Sequence, residues 1–358
     1  MRLHISSPGP LTTVQDLGRW GYQAMGMPVS GAMDPSSLRR GNAMLGNRPG
    51  DAALEMACVG PDVTFEGSGA VVLTGAELSA QLNSKPVENW AVFEVKSGDR
   101  LRFGQLRRGV WGYLCVTGGV SVPLVLGSRS TYLKTGTGGH GGRALAAGDV
   151  LQTGEPSAAW RRRVGFICPD SLKPDWSDRA LGLVLGLQQD AFPPAGLATL
   201  FESEYRVDLT SDRMGYRLEG PAVEHALPPD IVSDGVPLGS VQIPGSGEPI
   251  VMMADRQTTG GYTKVGVLTA VSTAFLAQHP AGSSVRFRRL SQDEGVEEAR
   301  REAEVLAELA RAVARWFARP DEKLKTTLGG TWGPAGQRWN LAWRLEGRLE
   351  GGRANERG

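Results

Sequence analysis

Residues 54–75 read LEMACVGPDVTFEGSGAVVLTG, three short runs of apolar, β-branched and aromatic side chains broken by Gly-Pro-Asp and Gly-Ser-Gly. Runs this brief, bounded by turn residues, predict strands. The same pattern spreads outward in both directions. WAVFEV (90–95), DRLRFG (99–104), GYLCVTG (112–118) and DVLQTG (149–154) continue it, and LGLVLG (181–186), YRVDLT (205–210), GYRLEGP (215–221), IVSDGVPLGSVQIPG (231–245) and PIVMMADRQ (249–257) resume it. Glycine supplies 49 of the 358 residues, about twice the usual share, as many tight turns between short strands require. The chain is expected to be mainly β, a barrel or sandwich rather than alternating βα units.

Three turn-then-strand phrases, SGDRLRF (97–103), AGDVLQ (147–152) and AGSSVRF (281–287), resemble one another, and so do GRWGYQAMG (18–26) and DRMGYRLEG (212–220). They favour two related β-domains in tandem. GEPSAAWRRR (154–163) breaks the composition and reads as a linker or crossing, which places the domains at 1–155 and 156–290. Helices are few. Asp34 caps one that opens at Pro35 and closes at Gly46-Asn47. Residues 291–320 form an amphipathic helix with Val296, Val305, Leu309, Val313 and Trp316 on its apolar face, docked on the side of the last barrel. Residues 321–358 are a polar tail carrying three tryptophans.

The formal charge is +1 and 22% of residues are charged, so no global field draws the surface to nucleic acid or to a membrane. The opening MRLHISSPGP lacks a secretory apolar run. No apolar stretch reaches the roughly 18 residues a membrane span needs; Val265–Ala277 comes nearest. A cytoplasmic protein is expected. Cys58, Cys115 and Cys168 are odd in number and set among apolar residues, and they read as buried free thiols. The four histidines are scattered, with no metal-ligand spacing.

Two polar clusters interrupt the strands. DRQTTGGYTKVG (255–266) packs charges, hydroxyls and a double glycine between apolar runs, and GSRSTY (127–132) precedes GTGGHGG (136–142). Polar groups this dense must find partners, and a small polar ligand is one way to supply them; a solvated hairpin is the other. GTGGHG fits the letters of a dinucleotide fingerprint, but RALAAGDVL follows it where a helix is required. No Walker loop, no Gly-x-Ser-x-Gly elbow, no amidase Gly/Ser run and no Met-Lys-Met biotin attachment site occurs.

Five longer motifs carry a resemblance: PGPLTTVQDLGRWGY (8–22), MPVSGAMDPSSL (27–38), GGVSVPLVLGSRSTY (118–132), SDGVPLGSVQIPGSGEP (233–249) and DRQTTGGYTKVGV (255–267). In order and spacing, from about residue 3 to residue 290, they resemble the biotin-dependent carboxyltransferase, or allophanate hydrolase subunit 2, family. That family includes KipA-type proteins and the C component of 5-oxoprolinase. The resemblance implies tandem cyclophilin-like β-barrels. It implies a KipI-type partner, the B component, and, in 5-oxoprolinase, a third chain, the A component. It implies a hydrolase complex that opens 5-oxo-L-proline to L-glutamate, with ATP as co-substrate and the ATP-binding chain unassigned, this chain being inactive alone. Two alternatives stay open: a carboxyltransferase component acting on urea or a similar amide with a separate biotin carrier, and a KipA-type regulator that binds a KipI-type kinase inhibitor. No covalent biotin is expected on this chain.

Under that resemblance Asp255, Arg129 and Lys264 are the candidate catalytic residues. Ser128, Ser130, Thr131, Tyr132, Arg256, Gln257, Gly260, Gly261 and Tyr262 are the candidate substrate-binding residues. Asp255 could accept from an amide N–H, the cations could hold carboxylate or phosphate oxygens, and the glycines let backbone approach. The plainer readings are an interstrand salt bridge for Arg129 and a mutual pair for Asp16 and Arg19. The two loops are expected to converge on one lactam or urea-like molecule.

Overall fold

Each glycine-bounded run forms a strand in the computed structural model, which describes residues 1–157, 159–176 and 180–318. The strands up to residue 153 build two antiparallel sheets. One has five strands in the order Thr12–Gln15, Ala53–Ala57, Arg108–Val116, Gly69–Glu77 and Val92–Val95. The other has seven, with Arg2–Ser7 paired between Asp62–Glu66 and Val150–Thr153. Leu3, Ile5, Leu54, Val63, Phe65, Val71 and Leu114 are all buried in the first core. The alternation of buried and exposed positions in Arg2–Ser7 and Asp62–Glu66 is the period-two signature of half-buried strands.

From residue 181 to 290 the strands close a seven-stranded barrel. Leu181–Leu185 closes it by lying parallel to Ser284–Leu290, with Leu181 opposite Phe287, and antiparallel to Lys264–Leu268, with Val184 opposite Val267. A separate two-stranded ribbon joins Asp230–Gly235 to Thr259–Tyr262. A second core contains Leu183, Tyr205, Val241 and Phe287 from the barrel together with Ala53, Val72, Tyr113 and Cys115 from the five-stranded sheet, so one face of that sheet packs toward the barrel.

Helix α1 (Pro35–Leu45) begins as the sequence predicts, with Asp34 Oδ1 accepting from the Ser37 N–H at 3.0 Å, and ends at left-handed Gly46. Two helices go unread in the sequence: α2 (Pro194–Glu202) and α3 (Ala270–Ala277). Residues 272–277 of α3 are buried on every side, so no polar face marks a helical period. Helix α4 (Gln292–Phe317) starts with a reciprocal capping box between Ser291 and Glu294. It buries Leu309, Val313 and Trp316, but Val296 is exposed. It docks on the barrel strands Leu181–Leu185 and Ser284–Leu290 as expected, and it packs against α1 and α3 as well. The polar tail at 321–358 lies outside the described residues.

Two smaller expectations change. Cys115 and Cys168 are buried free thiols, but Cys58 is exposed, on a turn with φ +57° just beyond the end of its strand. Trp160, inside the stretch read as a linker, inserts into the barrel-side core. No helix among the described residues is long and apolar enough to cross a membrane.

The α4 contact contains a buried cation. Arg40 of α1, with a side chain 2% exposed, donates to Glu302 Oε1 at 2.6 Å and Oε2 at 2.9 Å, and to the Leu172 carbonyl at 2.7 Å. Removing one partner of a buried pair strands the other charge. Glu302→Ala is expected to lower stability by about 3 kcal/mol in urea unfolding, whereas Glu297→Ala, on an exposed pair of the same helix, changes it by less than about 0.5 kcal/mol.

Candidate functional site

The strand Thr12–Gln15 runs into a turn whose Gly18, at φ +87°, leaves no space for a side chain: a Cβ there would sit 2.7 Å from the Val29 carbonyl oxygen. The turn lies against residues 29–32, because the Arg19 N–H donates to Val29 O at 2.8 Å and the Ala32 N–H to Asp16 O at 2.9 Å. Thus the motifs containing Asp16–Arg19 and Ser30–Gly31 become one surface.

Asp16 gathers the third motif onto it. Its Oδ1 accepts from Ser128 Oγ at 2.6 Å, Ser130 Oγ at 2.5 Å and the Gly18 N–H at 2.8 Å, while Oδ2 accepts from the Arg129 N–H at 2.6 Å. Thr131 is stitched to the Val14 carbonyl through both N–H and Oγ1. Asp16 and Arg19 are therefore not a contact pair: the carboxylate is filled by the 128–130 turn and Gly18.

Arg19 itself is 0% exposed. Its Nη2 donates to the Ser130 carbonyl, and its Nε and Nη1 have no partner among the described residues. Burial pulls its pKa down, while the charges of Asp16 and Asp255 oppose that. Gly138 packs over the guanidinium, where a Cβ would come within 2.5 Å of Nη2. Gly138, Gly139 and Gly142 of the glycine run are thus explained by close packing. Ser30 Oγ is a further buried atom without a partner among the described residues.

The barrel contributes Asp255 and Arg213. Both oxygens of Asp255 accept from Arg213, Nε to Oδ2 and Nη2 to Oδ1, each at 2.9 Å. Arg213 also donates to Glu55 Oε1, on the five-stranded sheet, and to the Gly31 carbonyl at 2.7 Å. Glu55 Oε2 accepts from the Met33 N–H at 2.7 Å and Tyr113 Oη at 2.8 Å. Burial alone would lower the Arg213 pKa, but the adjacent carboxylates raise it overall; burial raises that of Glu55 against the pull of Arg213. Burial and the Asp255 charge together raise the Tyr132 pKa, so that hydroxyl stays protonated at neutral pH and available as a donor. Asp255 therefore lies within electrostatic reach of both Tyr132 and Arg19.

The remaining candidates separate. Arg129 turns away: its Nε donates to the Val122 carbonyl at 3.0 Å, and it lines a hollow of about 300 Å³ to which no residue of 255–264 contributes. The expected salt bridge of Arg129 is absent among the described residues. Arg256 is buried, with Nε on the Val236 carbonyl at 2.9 Å, and burial brings its pKa down to about 10. Gly260, Gly261 and the half-exposed Tyr262 lie on the ribbon, with Gln257 at its base. Lys264 follows the ribbon, its Nζ 3.0 Å from Asp234 Oδ2 but outside hydrogen-bonding geometry. Arg213 and Glu55 were not singled out from sequence, and Arg19 only as the partner of Asp16. The signals existed: a carboxylate inside the buried strand ALEMA, and the likeness of GRWGY to DRMGY, which aligns Arg19 with Arg213.

In this chain an antiparallel sheet pair joins a closed barrel, with Arg213 buried where they meet. The profile for "Carboxyltransferase domain, subdomain A and B" matches residues 25–289, and the chain belongs to that family. It is 36% identical over 301 residues to the 5-oxoprolinase C subunit of Haemophilus influenzae, covering 84% of this chain and 95% of that protein. It is 36% identical over 294 residues to the 5-oxoprolinase C subunit of Escherichia coli, covering 82% and 93%. The crystal structure of K. lactis urea amidolyase superposes with a TM-score of 0.80 at 29% identity, covering 86% of this chain and 20% of that one.

Arg213→Met would leave Glu55 and Asp255 buried without their cation. The expected loss is about 3–5 kcal/mol in urea unfolding at neutral pH. A buried carboxyl with a raised pKa favours the folded state when protonated and loses that contribution as pH rises. The deficit of the variant should therefore shrink as pH falls toward 4.5, the ordinary value for Glu55.

Proposed function

We infer that this chain is the C subunit of an ATP-dependent 5-oxoprolinase and that, with a KipI-type B component and an A component, it helps open 5-oxo-L-proline to L-glutamate. The observation that carries this reading is the near full-length correspondence, 95% and 93%, to the two 5-oxoprolinase relatives. The urea amidolyase chain is matched over only a fifth of its length.

The chemistry of the Arg19 surroundings suits a small amide. Opening a lactam places negative charge on the carbonyl oxygen, and fixed donors in a dry site stabilise that charge without reorganising. Arg19 Nε and Nη1 are donors of that kind, positioned by Asp16 through the 128–130 turn. Tyr132, kept protonated, is a second donor. Asp255 retains a lone pair on each oxygen beyond those taken by Arg213 and can accept from the lactam N–H. Asp255 is then an acceptor anchored through both oxygens by Arg213.

A second reading, a carboxyltransferase acting on urea or a similar amide with a separate biotin carrier, is favoured by the TM-score of 0.80 to urea amidolyase. The same donors would serve it, since urea also presents a carbonyl flanked by N–H.

The test is co-expression with the A and B components, following glutamate release from 5-oxoproline with and without ATP. Turnover that requires ATP and all three chains is expected. Arg19→Met should lower kcat by about 100-fold or more with the complex still assembled on gel filtration. A wild-type assembly without 5-oxoproline turnover overturns the functional reading, and an Arg19→Met rate equal to wild type removes Arg19 from the site.

A further inference from the structure

Arg129 presents a cation that the lactam reading leaves unused. Its backbone is pinned on both sides, by its N–H on Asp16 Oδ2 at 2.6 Å and by its carbonyl accepting from the Gly139 N–H at 3.1 Å. Its Nε is taken by the Val122 carbonyl. Its two terminal nitrogens make no hydrogen bond or ion pair among the described residues, yet the side chain lines the hollow of about 300 Å³. That volume is at the lower end for small-molecule sites. A guanidinium fixed through its Nε and open at its fork is the geometry that takes a carboxylate with two parallel hydrogen bonds.

The other charges around the hollow decide which anion fits. Arg48 is already committed to Asp51, Nη2 to Oδ1 at 3.0 Å with the Arg48 N–H on Oδ2 at 2.9 Å. Glu155 is exposed at the rim and has no cationic partner among the described residues. Gly46, which ends α1, also lines the hollow, and a helix C-terminus carries partial negative charge. Arg163 offsets part of that, since its guanidinium packs where a Gly46 side chain would stand. One open cation against a carboxylate and a helix end suits a single negative charge better than a dianion. Part of the lining is backbone: Gly118, at φ +83°, lies so close to Gly154 that a Cβ would meet its carbonyl oxygen at 2.3 Å. The N–H groups there are already taken, Gly118 by Asn47 Oδ1 at 3.0 Å and Gly154 by the Gly119 carbonyl at 2.9 Å, so the Arg129 fork is the donor left for a ligand.

We propose that the hollow beside Arg129 is a binding site for a small monocarboxylate, separate from the Arg19 site. The two are linked by one residue: Asp16 holds the Arg129 N–H and also Ser130, whose carbonyl receives Arg19. The proposal rests on the guanidinium and its neighbours and stands whether or not the chain opens a lactam.

The experiment is calorimetric titration of the full chain with sodium acetate at constant ionic strength, with inorganic phosphate and sodium chloride in parallel. Acetate is expected to bind more tightly than either. Arg129→Met should weaken acetate by at least about tenfold, with the thermal midpoint confirming that the variant folds, and Arg19→Met should leave it unchanged. Glu155→Gln, at an exposed position, should strengthen acetate by about two- to threefold by removing a repulsion across the hollow; it gives a second readout should Arg129→Met fail to fold. Absence of acetate binding, or binding indifferent to both Arg129→Met and Glu155→Gln, overturns the site. Phosphate binding more tightly than acetate overturns the monocarboxylate assignment.

Discussion

The fold depends on Arg213. This one side chain, 6% exposed, ties Asp255 in the barrel half to Glu55 in the five-stranded sheet and to the Gly31 carbonyl in the loop beside Arg19. A buried cation between two carboxylates tolerates little rearrangement, because moving any member strands a charge in a poorly solvated interior. Around it the same junction is fastened by further hydrogen bonds. Gln278, just after α3, donates to Asp34 Oδ2 at 2.9 Å and accepts from the Val110 and Trp111 N–H groups, while Trp111 Nε1 donates to Tyr216 Oη at 3.1 Å. Residues from both halves of the chain therefore share one polar network inside one apolar core. Through the Gly31 carbonyl that network holds the segment against which the Arg19 turn lies.

Arg19 and Arg213 stand in similar words, GRWGY and DRMGY, and their surroundings differ in one respect that matters chemically. Arg213 has both neighbouring carboxylates in direct contact and is held in its charged form. Arg19 has one carbonyl partner and two nitrogens without any among the described residues, because Asp16 has been diverted to the 128–130 turn. Buried donors without acceptors are costly, and such a cost persists where an oxygen from a ligand or an ordered water completes the set. One arginine thus serves the architecture, and the other is left with unused donors within electrostatic reach of Asp255.

Much of the secondary structure was legible because each strand is short, carries its own turn residues and alternates or runs apolar over a few positions. Helix α1 was legible from Asp34, Pro35 and Gly46, and α4 from its wide apolar stripe. Helix α3 was not, since a helix buried all round has no polar face to reveal its period. The candidate site was legible only as a set of polar loops. Ser128, Ser130, Tyr132 and Asp255 are drawn into the network around Arg19 and Arg213, whereas Arg129 opens onto a different hollow and Gly260, Gly261 and Tyr262 lie on a ribbon. Adjacency along the chain misleads here, because consecutive residues in an extended loop point to opposite sides: Ser128 and Ser130 face Asp16, and Arg129 between them faces away.

By itself, the sequence determined a mainly β chain, two helix boundaries, the family and the polar motifs worth examining, all of which rest on local pattern. The tertiary structure alone decided which charges meet. Glu55 lies 158 residues from Arg213, and Asp16 lies 113 from Arg129, and only the closing of the sheets and the barrel brings them within bonding distance. Whether a buried arginine is satisfied or left with spare donors is a property of that three-dimensional arrangement, set by how many acceptors the surrounding strands and loops deliver.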